Sequence, residues 1–158
     1  MMTDNRQSGL SLLEVLVSVA IFAFGLLALA ALMANGLRSN TSAMHRSFAT
    51  NQVYDMADRM RANPDTDYDG IAGAAADPEC ISTVTGCSPA RMLQYDQFEW
   101  NSDNANFLPG PGTGTVFKED STCGFENPNP CIYLITVTWD DDRDPATPDD
   151  SFVFAIRP

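Results

Sequence analysis

The stretch G-L-S-L-L-E-V-L-V-S-V-A-I-F-A-F-G-L-L-A-L-A-A-L-M-A, Gly9 to Ala34, decides how the rest of the chain is read. A short polar leader ends at Gly9, and an apolar run follows with one acid, Glu14, near its start. From Val15 to Ala34 the only polar side chain is Ser18. A helix of that length rises about 30 Å, the thickness of a bilayer's hydrocarbon core. A carboxylate at the edge of such a span is costly, so Glu14 is a candidate functional residue that needs a counter-charge.

A cleaved secretory signal needs a basic leader, an apolar core of about 7–15 residues and a small-residue cleavage site after it. Here Arg6 is offset by Asp4, the core is about twice that length, and no A-x-A-like site followed by polar sequence stands out. An ordinary single-pass anchor leaves Glu14 unexplained. The string Gly9-Leu10-Ser11-Leu12-Leu13-Glu14 resembles the type IV prepilin cleavage motif. That resemblance implies cutting between Gly9 and Leu10 by a prepilin peptidase and N-methylation of Leu10, with Glu14 docking against the terminal amine of a neighbouring subunit. The family more often has Phe at the place of Leu10. Pairing amine with carboxylate leaves neither charge buried alone in an apolar filament core.

Length and charge bound the rest of the chain. Its 158 residues are enough for one long helix and one modest head. The net charge of −12 is uneven: residues 1–61 carry +1, whereas residues 62–158 hold 17 acids and four bases, a net of −13. Such a head repels nucleic acid. Four cysteines, Cys80, Cys87, Cys123 and Cys131, point to disulfides in an oxidising compartment. They allow three connectivities, and local pairing, Cys80–Cys87 and Cys123–Cys131, is the expectation because each closes a short Pro/Gly/Ser-containing loop. Zinc is disfavoured, since neither spacing is C-x₂-C and the single histidine, His45, is remote; a Cys–His nucleophile fails on the same separation.

Asn35 to Ser42 turns polar and marks emergence from the apolar span. Ala49, Val53, Met56 and Met60 then fall at i, i+4, i+7 and i+11, one helical stripe on which a head can pack. Pro64 ends the helix near Asn63. Leu10 to Asn63 is thus a single helix of roughly 80 Å. The chain divides into four segments: leader 1–9, membrane or filament-core helix 10–37, amphipathic half 38–63, and an acidic head 64–158. Gly25 reads either as a packing contact or as a tolerated glycine in a membrane helix.

D-M-A-D-R-M-R-A-N-P (Asp55 to Pro64), C-S-P-A-R-M-L-Q-Y-D-Q-F-E-W (Cys87 to Trp100) and L-P-G-P-G-T-G (Leu108 to Gly114) are similar to segments of type IV pilus minor pilins of the PilV kind. The likeness covers the first 64 residues well and the middle of the head moderately; the last third matches in pattern only. It implies an α+β, pilin-like fold and a non-enzymatic subunit that initiates or modifies pilus assembly, serving adhesion or twitching motility. It further implies partners among major and minor pilins, the prepilin peptidase and the inner-membrane assembly platform. Before assembly the protein would sit in the inner membrane with its head in the periplasm, and afterwards in the cell-surface pilus. A type II secretion pseudopilin shares the same N-terminal logic, and a membrane-anchored enzyme or ligand-binding head is a more distant alternative.

Residues 64–88 read as an irregular loop. Asp65, Asp67, Asp69 and Gly70 match the first half of a calcium loop, but Ala76 stands where a bidentate Glu is needed, so an ordinary acidic loop is favoured. The acids between Asp140 and Asp150 read as a solvated hairpin tip. Ser88-Pro89 starts a second helix, to about Asp103, burying Trp100 and some of Met92, Leu93, Tyr95 and Phe98. Ile132–Trp139 and Phe152–Ile156 alternate as strands, joined by a long connection, with a short strand near Thr115–Phe117. No cofactor motif and no catalytic constellation stands out.

Overall fold

The computed structural model describes residues 11–82, 84–120, 123, 131–142 and 146–158. The chain divides into two compact units between Thr41 and Ser42. The first helix, α1, runs Leu12–Ala62 and contributes to both. It is continuous because its 51 residues hold no proline and its two glycines, Gly25 and Gly36, sit where an added Cβ meets nothing. The segment before Ser42 is exposed along its apolar length. It is long and apolar enough to cross a membrane.

In the second unit, α1 buries Ala49, Gln52, Val53, Met56, Ala57 and Met60. The expected stripe is therefore the core face; Ala57 beside it is buried as well, and Gln52 joins it. The chain then forms β1 (Ile71–Ala72), α2 (Pro89–Phe107), β2 (Thr113–Lys118), β3 (Tyr133–Trp139) and β4 (Asp150–Ile156). The strands make one antiparallel sheet in the order β1-β2-β3-β4. β3 buries Tyr133, Ile135, Val137 and Trp139 on alternate positions, so one sheet face builds the core. A long helix, a short second helix and a small antiparallel sheet make an α+β, pilin-like arrangement.

α2 begins as expected: Ser88 is extended, its Oγ accepts the Arg91 N–H, and Pro89 occupies the first turn. It continues one turn past Asp103, to Phe107. The added turn buries Asn104, and the Leu108 N–H closes on the Asn104 carbonyl just before Pro109 stops the helix. β1 is an addition to the segment read as irregular. Two residues are too few for an alternating pattern; pairing of Ile71 with Val116 is what makes them a strand. β2 extends beyond the expected Thr115–Phe117 because all six residues Thr113–Lys118 pair with β3.

Two glycines are demanded by this packing. A Cβ on Gly114 would lie 2.2 Å from the Trp100 ring, and one on Gly112 would lie 2.2 Å from the Asn104 carbonyl oxygen. Helix α2 and strand β2 therefore touch main chain to side chain. The Asn101 Oδ1 fixes the same contact by accepting the Gly114 N–H at 2.7 Å. Trp100 Nε1 donates to the Gln52 carbonyl at 2.9 Å, which joins α2 to α1.

Candidate functional site

Gly9 and Leu10, the expected cleavage and methylation positions, lie outside the described residues. Glu14 stands in the first turn of α1, where its N–H reaches the Ser11 carbonyl at 2.9 Å. A carboxylate there is favoured by the helix dipole. Ser18 Oγ donates to the Glu14 carbonyl at 2.7 Å, a bond within the helix that spends the hydroxyl locally. Glu14, Val15, Ser18, Val19 and Phe22 line one shallow, exposed depression on the helix. The arrangement is a carboxylate on an apolar face, with no basic side chain among the residues that line the depression.

The second unit holds three polar clusters. The largest centres on Arg59. Its Nε donates to Asp55 at 2.7 Å, and Nη1 donates to Asp96 and Glu99, each at 3.2 Å. The Tyr68 hydroxyl donates to the second Asp96 oxygen at 2.5 Å, and Asn63 Nδ2 contacts that hydroxyl at 3.2 Å. The buried Asp96 thus receives two donors on two oxygens, which is how a carboxylate survives 5% exposure. Burial lowers the Arg59 affinity for its proton, but the bonds to Asp55, Asp96 and Glu99 outweigh it and leave the guanidinium firmly charged. Burial and the Asp96 bond push the Tyr68 phenol up, and the Glu99 bond, then burial, holds Tyr95 up at about 12.

The second cluster shows what the calcium-like acids do. Asp67 Oδ2 takes Lys118 Nζ at 2.5 Å, while its Oδ1 takes the Tyr133 hydroxyl at 3.0 Å and the Asp69 N–H at 3.1 Å. Asp69 Oδ1 accepts the Lys118 N–H at 2.8 Å. Both carboxylates are spent tying the loop after α1 to β2 and β3. No metal-holding group of three or more His, Cys, Asp or Glu side chains occurs among the described residues. Burial raises Asp67, but the bonds from Lys118, Asp69 and Tyr133 outweigh it and hold the carboxyl below its usual range.

The third cluster ties the segment after β3 to α1. His45 Nδ1 lies 2.6 Å from Asp141 Oδ1. Burial raises Asp141, and bonds from Ser42 and His45 overcome it to lower the carboxyl. His45 is therefore occupied structurally by Asp141. The cysteines are joined Cys80–Cys87 and Cys123–Cys131, and no described cysteine is free. Sequence reading found the cysteines but missed the Arg59 and His45 clusters. Only the Asp55–Arg59 pair, four apart on one helix, carried a local signal.

A protein-family profile described as the prokaryotic N-terminal methylation motif matches residues 4–30. That match takes in Gly9, Leu10, Glu14 and most of the apolar run, and it supports a type IV pilin or pseudopilin in general. No curated protein and no solved structure matches the chain.

Proposed function

We propose that this protein is a minor pilin of the type IV pilus, inserted through α1 and acting to initiate or modify pilus assembly. One observation carries the reading: an N-terminal methylation motif over residues 4–30 covers the start of an apolar run whose single acid, Glu14, is exposed on an apolar face of α1. Cleavage after Gly9 frees the Leu10 amine for methylation, and Glu14 then meets the amine of an adjoining subunit inside the filament. Before assembly α1 spans the inner membrane, and the acidic, disulfide-linked head faces the periplasm, where disulfides persist. Partners are other pilins, the prepilin peptidase and the assembly platform; the role needs no enzyme chemistry. The methylation motif is common to pilins and pseudopilins. The likeness of Asp55–Pro64 and Cys87–Trp100 to minor pilins of the PilV kind favours the pilus.

The test is the mature N-terminus by mass spectrometry. An N-methylated Leu10 is expected. An intact initiator methionine, or a start beyond Ala34, refutes the prepilin route. Deletion then separates the two machines: loss of pili supports the pilus role, whereas intact pili with loss of a secreted substrate assigns the chain to secretion.

A further inference from the structure

Four side chains in the core of the second unit carry polar atoms without a partner among the described residues: Gln52 Oε1, Asn101 Nδ2, Asn104 Nδ2 and Oδ1, and Trp139 Nε1. All four residues are buried. Gln52 is 8% exposed, Asn101 and Trp139 are each 3% exposed, and Asn104 is not exposed at all. A buried donor or acceptor left unpaired loses its hydration with nothing to offset the loss. Native interiors hold few such atoms, and internal water is the usual partner of those that the protein itself does not satisfy. None of the four residues belongs to the ion-pair clusters around Arg59, Lys118 and His45.

The fold brings the four to one level of the core. α1 and α2 run antiparallel through three contacts: Arg59 with Asp96 and Glu99, the Gln52 carbonyl with Trp100 Nε1, and Phe48 with Phe107, ring centroids 5.1 Å apart. Asn101 and Asn104 fall on α2 between the second contact and the third. Both also touch β2 or the turn before it: Asn101 Oδ1 accepts the Gly114 N–H, and the Asn104 carbonyl lies against Gly112. The register that pairs Thr113 with Thr138 carries Trp139 of β3 to the level of Gly112. Chemistry then selects the occupant. Three of the unpaired atoms are N–H donors and two are carbonyl acceptors. A cation would meet the oxygens and be repelled by the N–H groups, and an anion would do the reverse. None of the four side chains is ionisable, so none would balance an ion's charge. Turning the Asn104 amide end for end still leaves one donor and one acceptor. Water both donates and accepts, and so meets both kinds of atom.

We propose that this end of the core is a hydration site, in which internal water bridges Gln52 Oε1, the Asn101 and Asn104 amides and Trp139 Nε1. The water is a structural ligand that joins α1, α2 and β3, and the site does not depend on the proposed pilus role. Nuclear magnetic resonance of the full chain, with its native disulfides, in detergent micelles tests it. The chain has two tryptophans, so two indole N–H signals are expected, and Trp139→Phe assigns them. Trp100, whose Nε1 donates to the Gln52 carbonyl, is the internal reference. The Trp139 indole proton should show a cross-peak to water of opposite sign in laboratory-frame and rotating-frame Overhauser spectra, which marks bound water rather than hydrogen exchange. In Asn104→Leu that cross-peak should be lost while the Trp100 indole signal stays in place. The urea midpoint should fall, because leucine displaces the water and strands Gln52 and Trp139. If Asn104→Leu does not fold, Gln52→Met, which keeps the backbone carbonyl that Trp100 uses, gives the same comparison, read in the same way. No such cross-peak at Trp139 in the parent, a cross-peak that survives the substitution, or a raised urea midpoint would each overturn the proposal.

Discussion

Glu14 is the one acid in a run of apolar residues, exposed beside Val15, Val19 and Phe22. If its role is to meet another subunit's amine, Glu14→Ala should leave cleavage and methylation intact while incorporation into pili falls. Unchanged piliation in immunoblots of sheared surface fractions would show that assembly does not use the acid. Arg59 has the opposite character, since all three of these partners lie within the second unit, Asp55 on α1 and Asp96 and Glu99 on α2. Arg59→Met would leave the buried Asp96 with one donor fewer and no cation. A loss of about 3 kcal/mol in head stability is expected from urea unfolding. Gly114 is fixed by space, because any Cβ would enter the Trp100 ring. Gly114→Ala should cost about 3 kcal/mol by overpacking, and a parent-like urea midpoint would show that the α2–β2 contact relaxes at little cost.

Among elements, α1 joins two chemistries in one helix. Before Ser42 its apolar residues are exposed; after it, one stripe is buried and the other faces carry charge. α2 serves the core with Trp100 and the polar contacts with Asp96 and Asn101, and it buries Asn104 as well, so its apolar pattern alone understates its burial. Asn104 is fully buried, and its side-chain amide has no partner among the described residues. The segment between β1 and α2 has little core of its own and is closed by the Cys80–Cys87 bond, with Cys80 buried against α2. In the chain-entropy view, opening a loop of this size costs about 2–3 kcal/mol. The Cys80→Ser/Cys87→Ser protein should therefore unfold at lower urea, and protease should cut first between residues 73 and 88. A variant as stable and protease-resistant as the parent would mean the bond only decorates the loop.

At the scale of the whole molecule, charge and pH are the measurable levers. Asp67 and Asp141 have lowered folded affinities for protons. Their stabilisation is complete above the ordinary carboxylate value of about 3.9 and disappears as pH falls through the lower folded values. Asp103 opposes them: burial, then the Glu99 charge, raises it, so its share is present at low pH and lost as pH rises through its folded value. Tyr68, Tyr95 and Tyr133 are raised, Tyr68 and Tyr133 chiefly by burial and Tyr95 chiefly by its bond to Glu99. Their contribution holds below the ordinary phenol value of about 10 and is lost as pH rises through the folded values, about 12 for Tyr95. Near-ultraviolet circular dichroism should therefore show a plateau from about pH 4 to about pH 10, with melting on both sides. A head that keeps its signal unchanged to pH 2 would show that the Asp67 and Asp141 bonds contribute little.

The sequence by itself determined the features that are local or periodic. Length and hydropathy marked the apolar half of α1, 3.6-residue spacing marked the Ala49–Met60 stripe, and alternation marked β3 and β4. The Ser88-Pro89 pair set the start of α2 because capping acts within one turn. Only the tertiary structure decided what depends on distant partners. β1 exists because Ile71 meets Val116, and Asp67 and Asp69 bind Lys118 and Tyr133. Arg59 gathers acids from α2 that lie some 40 residues away in the chain. A propensity or a cap is written in neighbouring residues, whereas an ion pair or a two-residue strand is stable only once the fold has brought its partners together.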